Sequence, residues 1–121
     1  MNILFLAWET FADRDIIHAF EHFNNKVLTY SVEPCNYTDD TSYEATICEY
    51  ITSHSVDAIF SSNYYPIISN ICTTCKIPYI SWVYDSPQIL LYHKSIFNSC
   101  NYVFIFDKTQ YEELFSLGVS T

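Results

Sequence analysis

Five short apolar runs, at residues 2–8, 26–32, 57–63, 78–84 and 101–107, alternate with segments patterned as helices. Most of these runs are nearly continuous in apolar residues, as parallel strands are when helices cover both faces of a sheet. The succession βαβαβαβαβα therefore predicts a three-layer α/β domain built on a doubly wound parallel sheet of five strands. The expected strand order is 2-1-3-4-5, in which the winding reverses between the first and third strands. The alternative, 3-2-1-4-5, sets the fourth strand beside the first. In such open sheets ligands bind outside the carboxyl ends of the strands.

The segments between the runs carry helix punctuation. Asp13 is placed to cap a first helix whose Ile16, Ile17, Phe20 and Phe23 form an inward stripe, and Asn24-Asn25 can take the left-handed turn usually given to glycine. Thr41-Ser42-Tyr43-Glu44 reads as a capping box opening a second helix that buries Ile47, Cys48 and Ile51. Pro66 suits the first turn of a third helix, and Ser86-Pro87 that of a fourth. Thr109-Gln110-Tyr111-Glu112 reads as another capping box, and Gly118, the only glycine, falls where the last helix should stop. Residues 33–40, with Pro34, Asn36 and two Asp, read as a loop.

At 121 residues, half of them hydrophobic, the chain fits one packed domain spanning residues 1–121. Gly118-Val119-Ser120-Thr121 stops where a further strand could begin, so the domain is expected to be the amino-terminal half of a longer protein. The formal charge is −9, from fourteen acidic residues against five scattered basic ones, and repels phosphate backbones and anionic surfaces. Nucleic acid is not expected as a partner. Residues 1–8 have no Lys or Arg before their apolar run and meet Glu9 at once, which does not fit a signal peptide, and no run reaches transmembrane length. A soluble cytoplasmic protein is expected. Five cysteines, an odd number without dense regular spacing, point to reduced thiols.

The single glycine argues against most nucleotide sites. Dinucleotide turns and P-loops need several glycines to bring backbone N–H groups to phosphates, whereas the turn after the first run reads Trp8-Glu9-Thr10-Phe11. NAD, FAD and ATP are disfavoured on this ground, and no cofactor is expected. Cys72-Thr73-Thr74-Cys75 has the spacing of a redox or metal pair, yet it continues the Ile68 and Ile71 stripe late in a helix, which is core spacing. His18 and His22 lie one turn apart opposite the apolar stripe without an evident third ligand, so no metal site is expected.

The strand ends hold the candidate site. In Ser81-Trp82-Val83-Tyr84-Asp85-Ser86-Pro87 an apolar run breaks into an aromatic, a carboxylate and a helix start. Similar endings occur at Trp8-Glu9-Thr10, Asn63-Tyr64-Tyr65-Pro66 and Asp107-Lys108. The substrate-binding candidates are Glu9, Thr10, Asn63, Tyr64, Trp82, Tyr84 and Asp85, with the crevice opening beside Glu9 and Asn63; Trp8 reads as packing. Glu9 and Asp107-Lys108 also suggest a phosphoreceiver, but Asn63 stands where a phosphorylatable Asp is needed. A non-catalytic, receiver-like (flavodoxin-like) interaction module is the alternative function.

The opening Ile3-Leu4-Phe5 with Trp8 and Asp15-Ile16-Ile17, then residues 60–69, 79–87 and 102–108 in order, resemble the amino-terminal domain of CgeB-like bacterial glycosyltransferases. The resemblance covers nearly the whole chain. It implies a Rossmann-like half of a GT-B enzyme that binds the acceptor, a sugar or glycosylated molecule, while a carboxyl-terminal half binds the nucleotide-sugar donor. On that resemblance Trp82 and Tyr84 would face the acceptor, Asp85 would bond its hydroxyls, catalytic residues remain unassigned, and this chain alone would be inactive.

Overall fold

Ala58–Ser62 forms a strand buried at every residue, and the rest of the fold is arranged around it. In the computed structural model of the chain, described for residues 1–8, 13–83, 89–105 and 107–119, the elements run β1 (Asn2–Leu6), α1 (Asp13–His22), β2 (Lys26–Tyr30), α2 (Thr41–His54), β3 (Ala58–Ser62), α3 (Pro66–Cys75) and β4 (Tyr79–Val83). Two 3₁₀ turns (Ile89–Tyr92 and Lys94–Phe97), β5 (Asn101–Ile105) and α4 (Lys108–Ser116) follow. All neighbouring strands pair in parallel, in the order β2-β1-β3-β4-β5. This is the first of the two predicted orders, and the fold is Rossmann-like and doubly wound.

Successive residues of a strand face opposite sides, so the apolar runs supply two cores. On one side Leu4, Leu6, Ile59, Tyr79 and Val83 cluster with Tyr43, Ile47, Ile51, Ile67, Ile68, Ile71, Cys72 and Leu114, from α2, α3 and α4. On the other, Ile3, Phe5 and Phe60 meet Ile16, Ile17 and Phe20 of α1. Each fully buried Ile or Leu contributes about 1.5–3 kcal/mol relative to exposure. Helix coverage is uneven: Tyr102 and Phe104, opposite Ile80 and Trp82 across the β4–β5 pair, remain 57% and 60% exposed on the edge strand.

Four expectations about the helices need correction. Phe23 does not join the inward stripe; it lies past the end of α1 and is 75% exposed, because Asn24 turns left-handed at φ 66 and ends the helix there. The cap of α2 is Asp40 and not Thr41: its carboxylate accepts the Tyr43 N–H at 3.1 Å. The cap of α4 is likewise Asp107 and not Thr109, accepting the N–H groups of Thr109 and Gln110 at 2.9 and 3.4 Å. In both cases a carboxylate, favoured by the positive end of the helix, takes the capping position ahead of a hydroxyl. The fourth helix is replaced by the two 3₁₀ turns: His93 accepts the Ser95 N–H and restarts the chain, so that both Leu91 and Ile96 reach the core. Ser86 and Pro87 lie outside the described residues.

Other punctuation is found where expected. Pro66 is the first residue of α3, and Gly118 takes φ 95 just after α4. No described helix is long and apolar enough to cross a membrane.

Candidate functional site

The carboxyl edge of the sheet is shaped at β3 by a polar lock. Asn63, directly after the strand, is buried and sits at φ 67, a region that Asn tolerates better than most residues. Its N–H donates to the Trp82 carbonyl at 2.7 Å. Its own carbonyl accepts the hydroxyls of Ser61 at 2.8 Å and Ser81 at 2.7 Å. The fully buried Tyr79 hydroxyl bonds Ser61 Oγ and accepts the Tyr65 N–H, the latter at 3.2 Å. Burial, before any other cause, pushes the Tyr79 phenol far up, so it stays a neutral donor and acceptor.

Tyr64 turns inward from this lock. It is wholly buried, with its hydroxyl 2.6 Å from Ser95 Oγ and within 3.5 Å of Asn101 Nδ2. Trp82 is half-buried on the α1 side of the sheet, packed against the Ile3, Phe5 and Phe60 cluster and opposite Ser62 in register. Of the residues the sequence singled out, Asn63 and Trp82 are therefore joined by a backbone hydrogen bond at the edge, and Tyr64 lies beneath it. Glu9, Thr10, Tyr84 and Asp85 lie outside the described residues.

Beyond the predicted site residues, this edge gathers three aromatic side chains, of which Trp8 packs against the larger core, as the sequence reads it. Trp8 beyond β1, Tyr37 in the loop after β2, and Tyr65 before α3 form an aromatic cluster. Ring centroids are 4.7 Å apart for Trp8 and Tyr65, 4.9 Å for Tyr37 and Tyr65, and 6.1 Å for Trp8 and Tyr37. These three strands flank the reversal between β1 and β3, where doubly wound sheets open a crevice. The Tyr37 hydroxyl donates to Glu33 Oε1 at 2.7 Å, and that bond is the main cause of the raised Tyr37 pKa. An isolated aromatic within the polar 33–40 loop was the available sequence signal for Tyr37.

The loop is preorganised by its short polar side chains. Asn36 Oδ1 accepts the Thr38 N–H at 2.8 Å and the Asp39 N–H at 3.2 Å, while Asp40 Oδ2 accepts the Cys35 N–H at 2.8 Å. Among the described residues, only three buried side-chain polar atoms lack a partner, and two of them, Trp8 Nε1 and Ser62 Oγ, lie at this edge.

The same edge is poorly made for phosphate. Pro66 has no N–H to offer, Ile67 N–H donates to the Tyr37 carbonyl at 2.9 Å, and the Ile68 and Ser69 N–H groups reach the Tyr65 carbonyl at 3.1 and 3.3 Å. The first turn of α3 is thus occupied by the protein's own acceptors, in contrast to helix starts that bind anions. Glu33, Asp39 and Asp40 add negative charge nearby in sequence. Among the described residues, no group of three or more His, Cys, Asp or Glu is arranged to hold a metal.

What the fold and site define is an α/β domain with a cluster of three aromatic side chains beside the reversal of its sheet. In comparisons with protein-family models, curated proteins and solved structures, nothing matches the chain.

Proposed function

We propose that this domain is the acceptor-binding half of a cytoplasmic GT-B glycosyltransferase, acting on a sugar or glycosylated molecule. The observation that carries the reading is the Trp8, Tyr37 and Tyr65 cluster at the β1–β3 reversal. Aromatic faces accept the apolar C–H face of a pyranose, and polar groups at their rim, here Glu33 and the Tyr37 hydroxyl, fix its hydroxyls. The resemblance to CgeB-like enzymes supports the same assignment, and on that resemblance Trp82, Tyr84 and Asp85 are further acceptor candidates. The donor would be bound by a second Rossmann-like domain, consistent with a helix start whose N–H groups are already taken.

The test is titration of the chain with methyl pyranosides and disaccharides, followed by indole NMR signals. Shifts of the Trp8 indole N–H that saturate at millimolar ligand and disappear in Trp8→Phe are expected. No change in the Trp8 signal at roughly 50 mM sugar, well above a millimolar Kd of about −4 kcal/mol, would sink the reading.

A further inference from the structure

Cys48 of α2 and Cys75, the last residue of α3, bring their Sγ atoms within 3.1 Å. That is about 1 Å more than the roughly 2.05 Å of a disulfide bond. Both side chains are half-buried against the larger core cluster, on helices packed against each other. The other thiols are placed differently: Cys72 is fully buried, Cys100 lies 3.3 Å from Thr73 Oγ1, and Cys35 is exposed in the loop before α2.

We propose that Cys48 and Cys75 form an oxidisable dithiol site, which a small-molecule disulfide converts into an intramolecular bond joining α2 to α3. The inference does not depend on the acceptor reading. Cys75 donates its S–H to the Cys48 sulfur, which leaves Cys48 as the attacking atom. Burial, followed by the Cys48 contact, pushes the Cys75 thiol up to about 12, in keeping with Cys75 as the partner that holds its proton.

In the first step Cys48 loses its proton to solvent and its sulfur attacks one sulfur of the oxidant RSSR; a Cys48–S–S–R bond forms, the RS–SR bond breaks, and the released RS⁻ is protonated by solvent. In the second, Cys75 loses its proton to solvent and its sulfur attacks Cys48 Sγ, forming the Cys48–Cys75 bond and expelling the second RS⁻, which takes up a proton. The protein gives up two electrons and two protons, and the oxidant becomes two RSH. The second step is intramolecular between neighbouring sulfurs, and its pace is set by the loss of the Cys75 proton.

The experiment incubates the whole chain with excess oxidised glutathione, alkylates it under denaturing conditions, and combines intact mass with chymotryptic mapping. Of the five cysteines, no more than three should remain alkylable, exposed Cys35 being open to a glutathione adduct of its own, and fragment ions should place a dithiothreitol-sensitive cross-link between Cys48 and Cys75, not its peptide neighbour Cys72. The unfolding temperature should rise by about 10 °C on oxidation, because the cross-link restricts the unfolded chain. Cys35→Ser should leave the cross-link intact, whereas Cys48→Ser should abolish it. Retention of all five thiols, a stable glutathione adduct without closure, or a bond mapped to another pair such as Cys72 and Cys75 would overturn the proposal. Mapping on the unsubstituted chain decides the matter even where a variant fails to fold.

Discussion

The Ser81 hydroxyl on β4 donates to the main-chain carbonyl of Asn63 at the end of β3, 2.7 Å away. Ser61 donates to the same oxygen at 2.8 Å. Two hydroxyls from adjacent strands thus fix the left-handed turn that leads to Tyr65, and through it one wall of the aromatic cluster.

Asn63→Val should cost about 1–3 kcal/mol, since a β-branched residue is strained at φ 67. Asn63→Gly should cost less than the valine variant, because glycine adopts this conformation freely. Ser81→Ala should cost about 1 kcal/mol, the net worth of one hydrogen bond, with Ser61 still in place. Urea unfolding reads all three, and equal stability of the valine and glycine variants would contradict the backbone argument.

At high pH the domain should lose stability. Burial raises Tyr43, Tyr64 and Tyr79 above the ordinary tyrosine value of 10.0. Above about pH 10 the unfolded chain therefore ionises first and binds fewer protons than the native state, so stability falls as pH rises; below that pH these groups have no effect. Tyr79→Phe should cost about 1–3 kcal/mol at neutral pH by leaving Ser61 and the Tyr65 N–H short of a partner. It should also make the alkaline loss shallower, by up to about 1.4 kcal/mol per pH unit for one proton. An unchanged slope would show that Tyr79 ionises alike in the folded and unfolded chain, against the effect of its burial.

Asp40 sets part of the acid response. Hydrogen bonds from the Cys35 and Tyr43 N–H groups hold its carboxyl below the usual 3.8. A lowered carboxyl contributes stability that is present above pH 3.8 and is lost as pH falls through the folded-state value. Asp40→Asn retains a good cap and should weaken this dependence below pH 4 without a large change at pH 7. Acid titration followed by circular dichroism checks it; identical acid curves would remove Asp40 from the account.

Nucleotide sugars should bind the chain weakly. With the first-turn N–H groups of α3 occupied and a formal charge of −9, UDP- and GDP-sugars have little to hold them. Calorimetric titration should give no micromolar dissociation constant. One worth about 8 kcal/mol would reveal a phosphate site elsewhere on the domain.

The sheet was legible because its signal is local: a nearly unbroken apolar run such as Ile3-Leu4-Phe5-Leu6 has few other uses in a chain of this length. The runs overshot the hydrogen-bonded strands by one or two residues, since apolarity continues into Trp8 and Val32 after the ladder stops. Caps were legible to within a residue or two, because Asp and Thr stand side by side at Asp40-Thr41 and two residues apart at Asp107 and Thr109, and either type can accept the same N–H groups. The aromatic cluster was not legible in this way. Trp8, Tyr37 and Tyr65 come from three separate loops, and an aromatic in a loop looks the same in sequence whether it packs alone or meets two others.

The sequence by itself determined the class of fold and the direction of its strands, because periodicity and punctuation act within a few residues of each other. Tertiary structure alone decided which residues meet. The β2-β1-β3 order brings together loops nearly thirty residues apart, it turns Tyr64 inward while Tyr65 faces its aromatic partners, and it sets Cys48 against Cys75 across two helices. Those contacts depend on the packing of whole elements, a free energy shared among many distant residues and carried by no single stretch of chain.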